Sequence, residues 1–229
     1  MEKTASVTAS IIMAFAIFLT SFSCSKSPTK PGPVPTPTPA QPTLISYAYA
    51  DAPIMNQTLA NLNFGACSDL FIGYTAGSSS RVLLNFDISS ISNTSTVTSA
   101  VLTFVVAASS GTVDISAYKT IQYWSEGTGD CSGTLNGYVP SWNYANGAAN
   151  TWVAPGGDYD AASQSLSAAI SGAGTVNITL NTAMVQAWVA NFTQNYGVLL
   201  KASNETSGYA RIMDRNSGAN APKLTVYYQ

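Results

Sequence analysis

From Leu44 onward the chain is cut into short runs of Val, Ile, Thr, Phe and Tyr, and Gly, Ser and Asn stand between them. Runs of this length and composition suit β-strands and little else. Nine candidates follow: Leu44–Ala50, Leu70–Tyr74, Arg81–Ile88, Ser99–Ala107, Thr112–Tyr118, Thr175–Leu180, Gly197–Ala202, Tyr209–Met213 and Lys223–Tyr228. In Val113–Tyr118 and Val176–Leu180 apolar and polar residues alternate, which puts one strand face on a core and the other in water. One segment differs. Asn181–Val189 reads as a short helix, with Asn181 as N-cap and Met184, Val185 and Trp188 on one side. Many short strands and one helix predict an all-β fold, a two-sheet β-sandwich of jelly-roll type. About 185 residues are enough for one full core.

The densest feature lies between strands. Trp142-Asn-Tyr-Ala-Asn-Gly-Ala-Ala-Asn-Thr-Trp152-Val-Ala-Pro-Gly-Gly-Asp158-Tyr159-Asp160 holds four large rings among residues that break regular structure. Such rings either pack against the strands or meet a ligand. With Trp124-Ser-Glu126-Gly before it, the run resembles the W-x-E-G … W-N … W-x-x-P-G-G-D-[YF]-D pattern of the DNRLRE domains, also called carbohydrate-binding module family 96. Arg81-Val-Leu-Leu-Asn-Phe-Asp87-Ile-Ser-Ser-Ile91, Val97–Phe104, Gln186-Ala-Trp188 with Asn195-Tyr-Gly-Val-Leu-Leu200, and Ala221–Tyr228 resemble further segments of that family in the right order. The resemblance implies a β-sandwich that binds polysaccharide. Trp142, Tyr144, Trp152 and Tyr159 are then candidate stacking platforms, and Asn143 and Asp158 candidate hydroxyl partners. The bland alternative is a self-packed loop in which Asp158 caps its own backbone. Arg81 and Asp87 share a strand face by parity, and Arg81 is expected to form a structural ion pair, for instance with Asp87, rather than a ligand contact. Trp124 and Trp188 are expected to pack.

Charge argues by exclusion. From Leu44 onward six Lys/Arg face ten Asp/Glu, a net charge of −4, so no basic footprint for nucleic acid exists. The chain has no histidine, which removes Ser-His and Cys-His chemistry. Glu126, Asp130, Asp158 and Asp160 are the carboxylates for any glycosidase or lyase chemistry, but their spacing has no acid/base pattern. With Asp51 and Asp69 they are also the oxygen donors for a structural Ca²⁺, although no EF-hand spacing is present. The reading is a non-enzyme with no cofactor, a metal remaining open. The five Asn-x-Ser/Thr triplets (Asn56, Asn93, Asn177, Asn191, Asn204) suit chance in an Asn/Thr-rich chain.

Residues 1–24 read as an export signal: Lys3, an apolar run Ile11–Leu19, then Cys24 after a small Ser23, as in a bacterial lipoprotein. Residues 25–43 alternate Pro and Thr and suit an extended polyproline spacer before a domain over residues 44–229. The expected location is a bacterial outer membrane or cell surface, through lipid on Cys24. Two cysteines remain, and export puts them in an oxidising compartment, so Cys67 and Cys131 are expected to pair. The function expected is polysaccharide binding at that surface. The alternatives are an adhesive or structural sandwich and, less favoured, a stand-alone lyase.

Overall fold

The computed structural model describes residues 40–135 and 140–229, and the leader, Cys24 and nearly all of the spacer lie outside these residues. The elements in chain order are β1 (Thr43–Met55), β2 (Leu62–Asn63), β3 (Leu70–Thr75), β4 (Ser78–Phe86), β5 (Val97–Ser110), β6 (Val113–Thr120), β7 (Thr134–Leu135), β8 (Tyr159–Asp160), β9 (Ala168–Ile170), β10 (Gly174–Thr179), α1 (Thr182–Ala190), β11 (Val198–Ala202), β12 (Tyr209–Ile212) and β13 (Lys223–Tyr228). All pairings are antiparallel. The expected all-β sandwich with one helix is what forms.

One layer runs β10–β5–β13–β1, and the other runs β1–β4–β11–β6, with β8 and β9 on the far side of β6. Strand β1 belongs to both. Thr43–Tyr47 pair with β13, the register shifts between Ala48 and Ala50, and Ala48–Met55 pair with β4. A bulge of this kind turns a strand from one layer into the next. At a second corner β12 bridges β5 and β3, and β3 pairs with the start of β4. β2 and β7 form a separate two-stranded ribbon.

Strand β1 runs five residues beyond the sequence reading, through Asp51 and Pro53. These residues look like a turn, but along Ala48–Met55 β1 pairs with β4 alone. A free edge needs no donor from proline. The Asp51 backbone N–H on that edge donates instead to Oε1 of Glu126, at 2.9 Å.

Alternation along β4 builds two cores. Val82, Leu84 and Phe86 point between the layers and meet Leu102 and Phe104 of β5, Ile115 of β6, Val198 and Leu200 of β11, and Met184, Val185 and Trp188 of α1. Asn181 Oδ1 accepts the Ala183 N–H at 2.9 Å, so the predicted cap forms. Leu83 points the other way and, with Ala52, Ile54 and Leu199, forms a second core covered by Trp124, Ala145 and Trp152. A strand covered on both faces reads as a continuous apolar run, as Val82–Leu84 does. The cover is the segment between β6 and β8.

Candidate functional site

Residues 121–135 and 140–158 cross the outer face of the β1–β4–β11 layer, and backbone bonds within the second stretch fold it on itself. Gly156 N–H donates to Trp142 O at 2.6 Å, Ala145 N–H to Asn150 O at 2.8 Å, and Ser141 N–H to Tyr144 O at 2.9 Å. Ile121 N–H donates to Asp158 O at 3.1 Å and returns the loop to β6.

Of the four rings in the loop run, Trp152 lies deepest, at 3 % exposure. Its Nε1–H donates to Ser141 O at 2.8 Å, as buried indoles need. Asp158, also buried, accepts the Val153 and Ala154 N–H groups at 2.8 and 2.9 Å. It caps its own turn, the arrangement that the Pro-Gly-Gly-Asp run also allows. Both side chains therefore stabilise the loop and are turned from solvent. Trp124 packs as expected, with Nε1–H on Tyr196 O at 2.8 Å.

Trp142, Asn143, Tyr144 and Tyr159 are half-buried and keep part of their surface in solvent. Arg81 of β4 fixes two of these rings. Its guanidinium lies 4.7 Å from the Trp142 ring centre and 5.9 Å from that of Tyr159. Its Nη1 donates to Gly156 O at 2.7 Å, while Nε and Nη2 grip the Glu205 carboxylate at 2.7 and 2.9 Å. Gly156 must be glycine: its φ is +96°, and a Cβ would stand 2.6 Å from Nη1 and 2.8 Å from the Trp142 ring. Tyr159 in turn tilts against Tyr118 of β6, with ring centres 4.8 Å apart. Burial raises the Tyr118 phenol above its ordinary value, with a smaller contribution from Tyr159. Lys201 of β11 stands 3.6 Å from Glu205. Trp142, Arg81, Tyr159 and Tyr118 thus form one row along the rim of the loop.

The structural ion pair expected of Arg81 forms, but with Glu205 in place of Asp87. Parity puts Arg81 and Asp87 on one face, but six residues of strand separate them by about 20 Å. Asp87 sits exposed past the end of β4 and accepts the Ser89 N–H at 2.9 Å. The Ser89 hydroxyl, and after it this backbone N–H, hold its carboxyl below the usual range. Nothing in the sequence near Glu205 marks it as the partner, because a turn between β11 and β12 supplies it.

The other carboxylates that the sequence singles out are spent on structure. Glu126 pairs with Arg215 through Nε and Nη2, Asp160 caps Ala162 at 3.0 Å, and Asp130 accepts Ser132 N–H at 2.9 Å. Asp69 pairs with Arg211. Asp51, 2 % exposed, accepts the Arg215 N–H at 2.6 Å. Burial pushes its carboxyl up to about 7, and Glu126 and Asp214 add to the rise. Among the described residues no group of three or more such side chains converges as a metal site.

Cys67 and Cys131 form the expected disulfide, with Cα atoms 4.5 Å apart. It closes a 64-residue separation and ties the start of the loop to the segment after β2. Asn63 completes the tie. Fully buried, it donates to Glu126 O and Pro140 O at 2.9 and 3.0 Å and accepts the Gly65 and Gly129 N–H groups. Asn143 bonds to the residues just before β2, with Nδ2 on Asn61 Oδ1 at 2.7 Å and N–H on Ala60 O at 3.1 Å.

A second cluster of rings, which the sequence gives no reason to group, lies where β1 bends between layers. Tyr49 at the bulge and Tyr123 are each 56 % exposed, and Phe192 after α1 is 61 % exposed. A groove of about 440 Å³ is lined by Tyr49, Phe86, Asp87, Ile88, Ser89, Phe192 and Asn195.

Residues 42–129 match the family model described as carbohydrate-binding module family 96. The match takes in β1 to β6 with Arg81, Asp87, Trp124 and Glu126, and stops ahead of the aromatic loop. Comparison with curated proteins gives no match.

Proposed function

We propose that this chain, whose residues 42–129 belong to carbohydrate-binding module family 96, is a non-catalytic polysaccharide-binding module held at a cell surface. The observation that carries the reading is the rim row. Trp142, Tyr159 and Tyr118 keep part of each ring in solvent; Arg81 holds the first two, and Tyr159 braces Tyr118. Sugar rings stack their C–H faces on such rings, and a platform that does not reorganise binds at lower entropic cost. Asn143 and Tyr144 extend the row and offer hydroxyl partners. Trp152 and Asp158 serve it from inside, by holding the loop that presents it.

The absence of catalysis is supported by the carboxylates. Glycoside hydrolysis needs two of them facing one cleft, whereas Glu126, Asp130, Asp158 and Asp160 are each committed to an arginine or to a backbone turn. The tether is supported by the first 43 residues, in which an apolar run, Cys24 and a Pro/Thr spacer follow one another. Lipid on Cys24 would place the domain outside a bacterial membrane.

Affinity gels containing polysaccharide test the binding. Trp142→Ala and Tyr118→Ala should lose retention while circular dichroism shows the domain still folded; equal retention of both variants and the parent would remove the rim from consideration. For the tether, intact mass of the membrane-extracted protein should show an acylated cysteine at residue 24. A soluble product starting elsewhere would count against it.

A further inference from the structure

The groove at the β1 bend contains features that the loop rim does not explain. Its floor is Phe86 and Ile88, each 1 % exposed, so it is fixed to the main core. One wall is Tyr49, placed outward by the register shift between Ala48 and Ala50. The facing wall is Phe192, in the 3-10 turn Phe192–Gln194 that follows α1. Asn195 anchors that wall, with Nδ2 donating to Phe86 O at 2.8 Å and Oδ1 accepting the Gly197 N–H at 3.1 Å. Gly197 is required for this approach: its φ is +77°, and a Cβ would lie 2.0 Å from Leu84 O. Both walls are therefore rigid, and the rings on them stand in solvent.

Phe192 has no polar atom to gain from that exposure, so leaving its ring in water costs stability with no local return. Tyr123 stands close by, edge-on to Tyr196 at 6.3 Å. The exposed rings surround a polar lip made by the Asp87 carboxylate and Ser89. Asp87 is exposed, and the one described ion-pair set does not include it. No Lys or Arg lines the groove. Rings on two walls, hydroxyl acceptors on the lip and a lone carboxylate suit an uncharged, hydroxyl-rich ring. An anionic sugar would meet Asp87 with no cation to offset it.

We propose that the groove between Tyr49 and Phe192 is a second glycan subsite, which takes a pyranose ring of a neutral polysaccharide and works independently of the loop rim. The inference rests on the module reading above. The ring stacks a C–H face against Phe192 or Tyr49, and its hydroxyls donate to Asp87. The loop rim, by contrast, carries Arg81 and Lys201 around the one Glu205 carboxylate, so the two surfaces differ in the charge that they tolerate. Two subsites on one rigid domain raise retention on a polymer that reaches both, without any new contact at either.

The test is affinity electrophoresis of the full domain through gels of hydroxyethylcellulose, xylan, galactomannan and laminarin, with alginate as the anionic comparison. Phe192→Ala and Tyr49→Ala should each weaken retention by at least one neutral polymer about tenfold, the loss of one stacking anchor. Retention by alginate should be unaffected, and thermal melting should match the parent because both rings are exposed. Asp87→Asn should weaken the neutral polymers less. If Phe192→Ala and Tyr49→Ala run like the parent in every gel while Trp142→Ala does not, the second subsite is overturned and the module reading stands. If the groove variants lose retention and Trp142→Ala does not, the subsite stands and the rim assignment fails. Should no polymer retard the parent, both fail together. A change confined to sedimentation of the groove variants would make the groove a protein contact and overturn the subsite.

Discussion

The aromatic loop and the β1 groove use the same residue types for opposite purposes. In the loop, Trp124 and Trp152 are 4 % and 3 % exposed, and each indole N–H is bonded to a backbone carbonyl. At the groove Tyr49, Tyr123 and Phe192 are more than half exposed. A density of rings in sequence therefore marked a second core, whereas the open rings come from three separate segments that the fold brings together. The lesson is that a ring's neighbours in space decide whether it holds structure or is free for a ligand. The rim row lies between the extremes, its rings half-buried and clamped by Arg81.

The strongest way to break the contrast is Trp152→Ala. Removing a buried indole that covers Leu83, Ile54 and Leu199 should cost about 4 kcal/mol and lower the melting temperature by roughly 10 °C. Phe192→Ala should move it by less than about 1 °C. Scanning calorimetry on the two variants decides; equal shifts would erase the distinction between the two regions.

Next comes the disulfide, which ties the loop to the segment after β2. Cys67→Ser with Cys131→Ser should cost up to about 4 kcal/mol in the chain-entropy model, and less where the reduced chain keeps structure. Urea unfolding of this double variant should show a lower midpoint. Amide exchange should quicken around residues 60–69 and 126–133 before it does at the groove. Uniform loosening instead would mean that the loop is not a separable layer.

A smaller effect is expected at Glu205. Glu205→Gln removes the charge gripped by Arg81 while the ring contacts remain, at a cost of about 2 kcal/mol. Faster amide exchange at Gly156 and Trp152, with the groove unaltered, would sharpen the role of Arg81 as the loop's fastening. An unchanged exchange pattern would show that packing alone suffices.

The smallest effect is a pH dependence. Asp51 is raised from an ordinary carboxylate value to about 7 in the folded protein, so between about pH 4 and pH 7 the folded state binds more protons than the unfolded one. Stability then falls as pH rises through that window. Asp51→Asn keeps an acceptor for the Arg215 N–H and removes the titration. Its melting temperature should exceed the parent's at pH 8, by about 5 °C at most, and the difference should vanish near pH 4. A parent whose stability rises from pH 4 to 7 as much as the variant's would contradict this.

Much of the fold was legible in the sequence. Each of the nine strand candidates overlaps an observed strand, and Asn181 starts α1 as expected. Val82–Leu84 is an unbroken apolar run, a sign of cover on both faces whose meaning became plain only once the two cores were seen. The paired cysteines followed from their number and the export reading. The continuation of β1 through Asp51 and Pro53 was hidden, because local residue preference describes an average strand and these residues sit on a free edge. The short β2, β7, β8 and β9 were hidden as well. Two or three residues carry no period.

By itself, then, the sequence determined what is set by near neighbours: strand and turn positions, the helix cap and the supply of rings. Tertiary structure alone decided which of those rings face water. It also decided that Arg81 grips Glu205, 124 residues away, in place of the nearer Asp87. The physical reason is that alternation fixes a side chain's face, while its partner depends on which distant strand and turn the layers bring against that face.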